Sequence, residues 1–245
     1  MNLLALTTST SHHGIWLQQP GQAGVGIDVE VGRGGARNLT ELIWRLLAEQ
    51  GLQPCELDLV ACDVGPGSFT GLRLGLATAR ALAWGLGLPV VGIGSLEAMV
   101  ADAWAARAAD AVVAALPARR GVSFVAWSPA PGQVSEAVVA DADAAAWAHA
   151  QAGQGPRVVG LVGAPLGAGT ALHVALCEAF GAAQVVDLAL PPHPSAERIA
   201  LLAVAAPADA RSAALRLQPR YLAVSEAEVA AGYAVPEIAL TAERG

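Results

Sequence analysis

Between two strand-like runs, Leu57–Cys62 and Val90–Ile93, the chain reads Gly65-Pro66-Gly67-Ser68-Phe69-Thr70-Gly71-Leu72-Arg73 and continues with few charges to Leu88. Glycine and proline at this density force a turn and let another backbone come close. The continuation is helical in period. Gly71, Gly75, Ala79 and Ala83 fall four apart and form one ridge with almost no side chain on it. Such a ridge lets a neighbour approach at short interaxial distance. Spacing alone leaves open whether that neighbour is the chain's own sheet or a partner. The segment reads as a docking helix behind a tight, anion-facing turn.

Phosphate binding is the rival reading of this loop. A Walker A loop needs a lysine after its last glycine to reach the phosphates. Leu72 stands there, and all 14 basic residues of the chain are arginine. The absence of lysine also removes Schiff-base chemistry and a lysine general base. Ser68 follows Gly67 and so resembles a nucleophile, but Pro66 and Thr70 occupy the glycine positions of a GxSxG elbow. A turn serine or helix N-cap is the alternative.

At 245 residues the chain is long enough for one large domain or two of roughly 100–120 residues. Hydrophobic residues make up 54% and charged residues 14%, so a buried core is easily supplied. The uncharged runs Ala81–Leu96 and Val158–Cys177 are broken by Gly and Pro and rich in alanine, unlike a spanning helix of about 20 strongly apolar residues. Met1–Leu6 lacks a basic flank and reads as a first core strand rather than a leader. Cys55, Cys62 and Cys177 show neither an even count nor CxxC spacing, which fits a reducing cytoplasm and no structural zinc. The net charge of −7, with scattered arginines, argues against strong direct binding of nucleic acid.

The first half reads as strands Leu3–Leu6, Gly14–Gln18 and Val25–Val31, then a helix carrying Leu39, Leu42, Ile43, Leu46 and Leu47 and closed by Gly51. Strand Leu57–Cys62, the docking helix, strand Val90–Ile93 and helix Leu96–Arg107 follow. Three meandering strands extended by α/β units specify a mixed sheet with helices against it, as in ribonuclease H-like domains. After a break near Ala108–Asp110 come strand Val112–Ala115, a turn at Pro117–Gly121, strands Val122–Trp127 and Gln133–Val139, and a weak helix from Asp141. Strand Val158–Val162, helix Ala171–Phe180, strand Val185–Leu188 and helix Ser195–Ala205 complete it. This half fits a second, degraded copy of the same topology. The expected division is residues 1–109, residues 110–225 and a loosely held tail, 226–245.

Candidate chemistry is sparse. Among His12, His13, His149, His173 and His193 there is no HExxH spacing, and His12-His13 reads as a loop after the first strand. Asp58 and Asp63 are read at one strand end, where open α/β sheets place ligands. Asp63 is either a functional carboxylate or a loop carboxylate near a helix N-terminus. Arg73 and Arg80 interrupt an apolar helix and suit either partner carboxylates or solvent.

Leu3-Leu4-Ala5-Leu6-Thr7-Thr8-Ser9-Thr10, the Gly65–Gly75 block, and Gly94-Ser95-Leu96-Glu97 after Pro89-Val90-Val91-Gly92 resemble the TsaB (YeaZ) family. Ala118-Arg119-Arg120-Gly121 and Pro219-Arg220-Tyr221-Leu222 are weaker echoes. The likeness is strong to residue 100 and thin beyond. It implies two α/β domains of the ribonuclease H-like, sugar kinase/Hsp70/actin class. It also implies a chain without catalysis or cofactor that binds and activates the paralogue TsaD in forming N6-threonylcarbamoyladenosine at tRNA position 37. TsaE would join the assembly, tRNA would be reached only through the complex, and related surfaces would form a homodimer. The resemblance places the partner contact on Thr70, Gly71, Arg73, Leu74, Gly75, Thr78, Ala79 and Leu82, behind the loop Gly65, Pro66, Gly67 and Ser68.

The family usually has aspartate where Thr7 stands, often H-S-E at Gly35-Ala36-Arg37, and often aspartate at Pro117. The metal-binding histidines of TsaD correspond to Ser95 and Met99, neither of which replaces an imidazole. The competing class is a nucleotide-using or glycopeptidase-like enzyme of the same superfamily.

Overall fold

The computed structural model describes residues 1–31, 39–106, 109–152, 155, 158–212 and 214–222. The Gly35–Arg37 position, Arg107 and the expected tail lie outside them. The described elements are β1 (Leu3–Thr7), β2 (His12–Gln18), β3 (Val25–Glu30), α1 (Leu39–Glu49), β4 (Leu59–Asp63), α2 (Phe69–Leu86), β5 (Val90–Ile93), α3 (Ser95–Ala106), β6 (Ala111–Arg119), β7 (Val122–Ala130), β8 (Gln133–Ala140), α4 (Ala144–Ala152), β9 (Val159–Val162), α5 (Ala171–Phe180), β10 (Val185–Asp187) and α6 (Ala196–Ala205).

The strands form two five-stranded sheets, ordered β3-β2-β1-β4-β5 and β10-β9-β6-β7-β8. Read from its other edge, the second is β8-β7-β6-β9-β10, the same order as the first. In each, a three-strand antiparallel meander is extended by two parallel strands. The expected mixed-sheet α/β fold and its second copy are both present.

All five residues of β1 are buried, because a central strand covered on both faces is an apolar run rather than an alternation. Leu4 and Leu6 face a core that includes Leu39, Ile43 and Leu47 of α1 and Leu72, Leu76, Ala79 and Ala83 of α2. Leu3 and Ala5 face the opposite layer, with Ala98 and with Ile199, Ala200 and Ala203 of α6. In the second sheet, Val113, Ala115, Val125 and Trp127 pack with Leu172, Leu176 and Phe180 of α5. The Trp127 and Phe180 rings stack at 5.8 Å between centroids.

By contacts the chain divides into one unit of Met1–Ala98 with Pro194–Arg220, and another built on Met99–His193. The cut therefore falls within α3 rather than at residue 109, and α6 rejoins the first unit because its apolar side covers β1. Pro117 lies inside β6 and not in a turn. The register shifts between Pro117 and Arg119, a bulge of the kind that accommodates proline in a sheet. The hairpin turn is at Arg120-Gly121, where Gly121 has φ +70°. Among the described residues no helix is long and apolar enough to cross a membrane.

Candidate functional site

The first sheet gathers the candidate residues at the C-terminal ends of β1 and β4. Register pairs Leu6 with Cys62, so Thr7 lies beside Asp63. Thr7 Oγ1 donates to Asp63 Oδ2 at 2.8 Å, Ser9 N to the same oxygen at 3.2 Å, and Ser95 Oγ at 3.3 Å. Thr8 N donates to Oδ1 at 3.2 Å. Asp63 is buried, and burial raises its pKa from 3.8 while the hydrogen bonds from Thr7, Thr8 and Ser9 pull it back. Its oxygens thus accept four hydrogen bonds from this chain, which makes it a clamp rather than an acid open to solvent. Asp58 is at the other end of β4, roughly 16 Å away by strand rise; it accepts from Asn2 N at 2.6 Å. The two carboxylates do not share a site.

His12 and His13 belong to β2, not to a loop, because the strand starts two residues earlier than its apolar run. His13 is buried; burial lowers its pKa from 6.5, opposed by the charge of Asp63. Ser95, at the start of α3, gives its hydroxyl to Asp63. Among the described residues no three His, Cys, Asp or Glu side chains are grouped to hold a metal ion.

The loop after β4 is built by close approach. Gly65 takes φ +106°, and Gly67 leaves no space for a Cβ against the carbonyl of Ser9. Ser68 is the N-cap of α2: its Oγ accepts from Gly71 N at 3.2 Å. Its own N–H donates to Ser9 O at 2.7 Å. The serine is a cap and shows no nucleophile geometry.

The ridge faces inward. Gly71, Gly75 and Ala79 are buried, and a Cβ at Gly71 or Gly75 would run into the carbonyl or the hydroxyl of Thr8. These three residues do not offer a partner surface, which corrects the reading that put them there. The missing side chains are what bring α2 down onto β1's end. Thr70 and Arg73 are exposed, while Leu74, Thr78 and Leu82 are half-buried at the helix flank. Between them the outward face carries Phe69, Ala77, Ala81 and Trp84, the last 73% exposed. The Arg73 guanidinium sits 3.8 Å over the Phe69 ring. Phe69, Arg73, Ala77 and Trp84 recur at helical spacing, the signal that could have located this face in the sequence.

The family model for TsaD, tRNA N6-adenosine threonylcarbamoyltransferase, matches residues 29–150. The Haemophilus influenzae tRNA threonylcarbamoyladenosine biosynthesis protein TsaB is 39% identical over 119 residues, 49% of this chain and 50% of that protein. The Escherichia coli TsaB protein is 31% identical over 121 residues, 49% of this chain and 52% of that protein. The chain thus spans about half the length of these relatives in sequence. The solved structure of YeaZ from Pseudomonas aeruginosa superposes with a TM-score of 0.71 at 26% identity, covering 90% of this chain and 99% of that one.

The chain is similar to TsaB proteins in sequence over about half its length, and to YeaZ in fold over 90% of it. At the β1–β4 end the carboxylate is that of Asp63 on β4, and β1 supplies Thr7 as its donor.

Proposed function

We propose that the chain is a non-catalytic scaffold subunit that binds and activates a TsaD-type transferase for N6-threonylcarbamoyladenosine formation at tRNA position 37. The observation that carries this is the outward face of α2. An 18-residue helix buries its small-residue side in its own sheet and turns Phe69, Arg73, Ala77, Ala81 and Trp84 to solvent. Contiguous exposed apolar residues mark interaction sites, and aromatic residues with arginine are the types enriched there. Thr70, Leu74, Thr78 and Leu82 flank this contact. The names of the relatives and the TsaD-family match supply the partner's class. TsaE is a further member of the assembly, and a homodimer through the same face competes with the heterodimer.

The enzymatic alternative is disfavoured by the state of Asp63, whose oxygens are taken up by Thr7, Thr8, Ser9 and Ser95. Size-exclusion chromatography of the chain with TsaD from the same organism tests the reading. A shifted complex that Ala77→Arg abolishes, with the variant's circular dichroism unchanged, is the expected result. Two independent peaks, or a complex indifferent to Ala77→Arg, would overturn it.

A further inference from the structure

We propose that Asp63 is the positioning residue that sets the geometry of the first turns of α2, acting through Thr8 and Ser9. The inference rests on the reading of α2 as the partner helix. The two residues whose amides the carboxylate holds are the same two that hold the helix. Thr8 gives its N–H to Asp63 Oδ1 and its hydroxyl to Gly71 O at 2.8 Å. Its carbonyl lies against Gly71 and its hydroxyl against Gly75, each with no space for a Cβ. Ser9 gives its N–H to Asp63 Oδ2, and its carbonyl accepts from Ser68 N, the N-cap residue. Ser68 and Gly71 directly adjoin Phe69, Thr70 and Leu72 in the chain, and Arg73 rests on Phe69. A shift of the Thr8–Ser9 backbone therefore moves the start of the outward face.

Only a carboxylate offers acceptors on both sides. Oδ2 takes Thr7, Ser9 and Ser95, while Oδ1 takes Thr8. An asparagine of the same volume has one acceptor oxygen, so its NH₂ group would face either the Thr8 amide or the other three donors. Hydrogen bonds to a charged acceptor are the stronger kind, and a donor left facing a donor in a buried site is costly.

The test is calorimetric titration of the full chain with the TsaD partner, beside hydrogen exchange of the free chain over residues 68–76. Asp63→Asn is compared with Val113→Ala, a core truncation in the second unit. Asp63→Asn is expected to weaken binding by roughly tenfold or more, on the scale of a lost charge-assisted hydrogen bond, and to speed exchange at residues 68–76. Val113→Ala is expected to lower stability and leave affinity unchanged. Unchanged affinity in Asp63→Asn beside a normal wild-type complex overturns the inference alone. An equal loss in Val113→Ala overturns it as a non-specific effect. No complex with the unsubstituted chain overturns the docking reading instead. If Asp63→Asn does not fold, Thr8→Val is read against the same outcomes, because it spares the carboxylate and removes the hydroxyl bond to Gly71.

Discussion

Two glycines of one helix have opposite roles. A Cβ on Gly75 would collide with the Thr8 hydroxyl, whereas one on Gly85 meets nothing within 4 Å. Gly75→Ala should therefore destabilise by about 1–3 kcal/mol through overpacking. Gly85→Ala should stabilise by about 0.4–1 kcal/mol by restricting the unfolded chain. Urea titrations of both variants check the pair, and a shift of the same sign in both would refute the packing argument. Asp63 makes a second prediction. Its folded pKa is raised above 3.8 by burial, so the native state holds more protons than the unfolded one in the window between the two values. Its contribution to stability is full below pH 3.8 and is lost as pH rises through the folded value. Asp63→Asn should flatten that part of the stability–pH curve, and an unchanged slope would exclude the carboxyl as its source. His13 acts in the other direction, its folded pKa lying below 6.5, so stability is lost as pH falls from 6.5 through the folded value.

At the scale of the element, α2 shows how far a pattern can be read. Its existence, its start behind the glycine loop and its Ser68 cap were legible, because turn chemistry and capping are local. Ser68→Ala should cost about 0.5–2 kcal/mol by leaving the Gly71 amide without its cap, measured as a lower melting temperature with the native circular dichroism retained below it. The direction of the ridge was not legible. A stripe of small residues is equally suited to an outside helix and to the chain's own strand end, and only the position of Thr8 decides between them. Charging the ridge, as in Gly75→Arg, would test folding rather than docking; Ala77→Arg on the outward face tests docking. Strand ends were read short for a similar reason. Thr7, Asp63 and His13 are polar and look like loop residues, yet they complete β1, β4 and β2 because each is satisfied or shielded by residues distant in sequence.

Across the whole molecule, the two sheets repeat one strand order although the second half is less regular in sequence. The return of α6 to the first unit has no local signal: its apolar residues specify a covered helix but not which sheet covers it. Composition does carry a prediction at this scale. With 14 arginines against 21 acidic residues and five histidines taken as neutral, the net charge is −7. Counterion release drives nucleic-acid binding in proportion to the phosphates neutralised. The isolated chain should therefore not retard tRNA in a gel-shift assay near physiological salt, and retardation should require the partner. A shift by the chain alone would place a tRNA contact on it.

Period, turn chemistry and composition are properties of neighbouring residues. The sequence by itself therefore determined the alternation of strands and helices, the mixed α/β class, the glycine loop with its cap, and the exclusion of lysine-based chemistry. Tertiary structure decided which side of α2 is buried, that Asp63 is a clamp held by Thr7, Thr8, Ser9 and Ser95, and that α6 closes the first sheet. Each of those depends on residues brought together from different parts of the chain. A carboxylate's role and a ridge's direction follow from what stands opposite, and spacing within a segment does not contain that information.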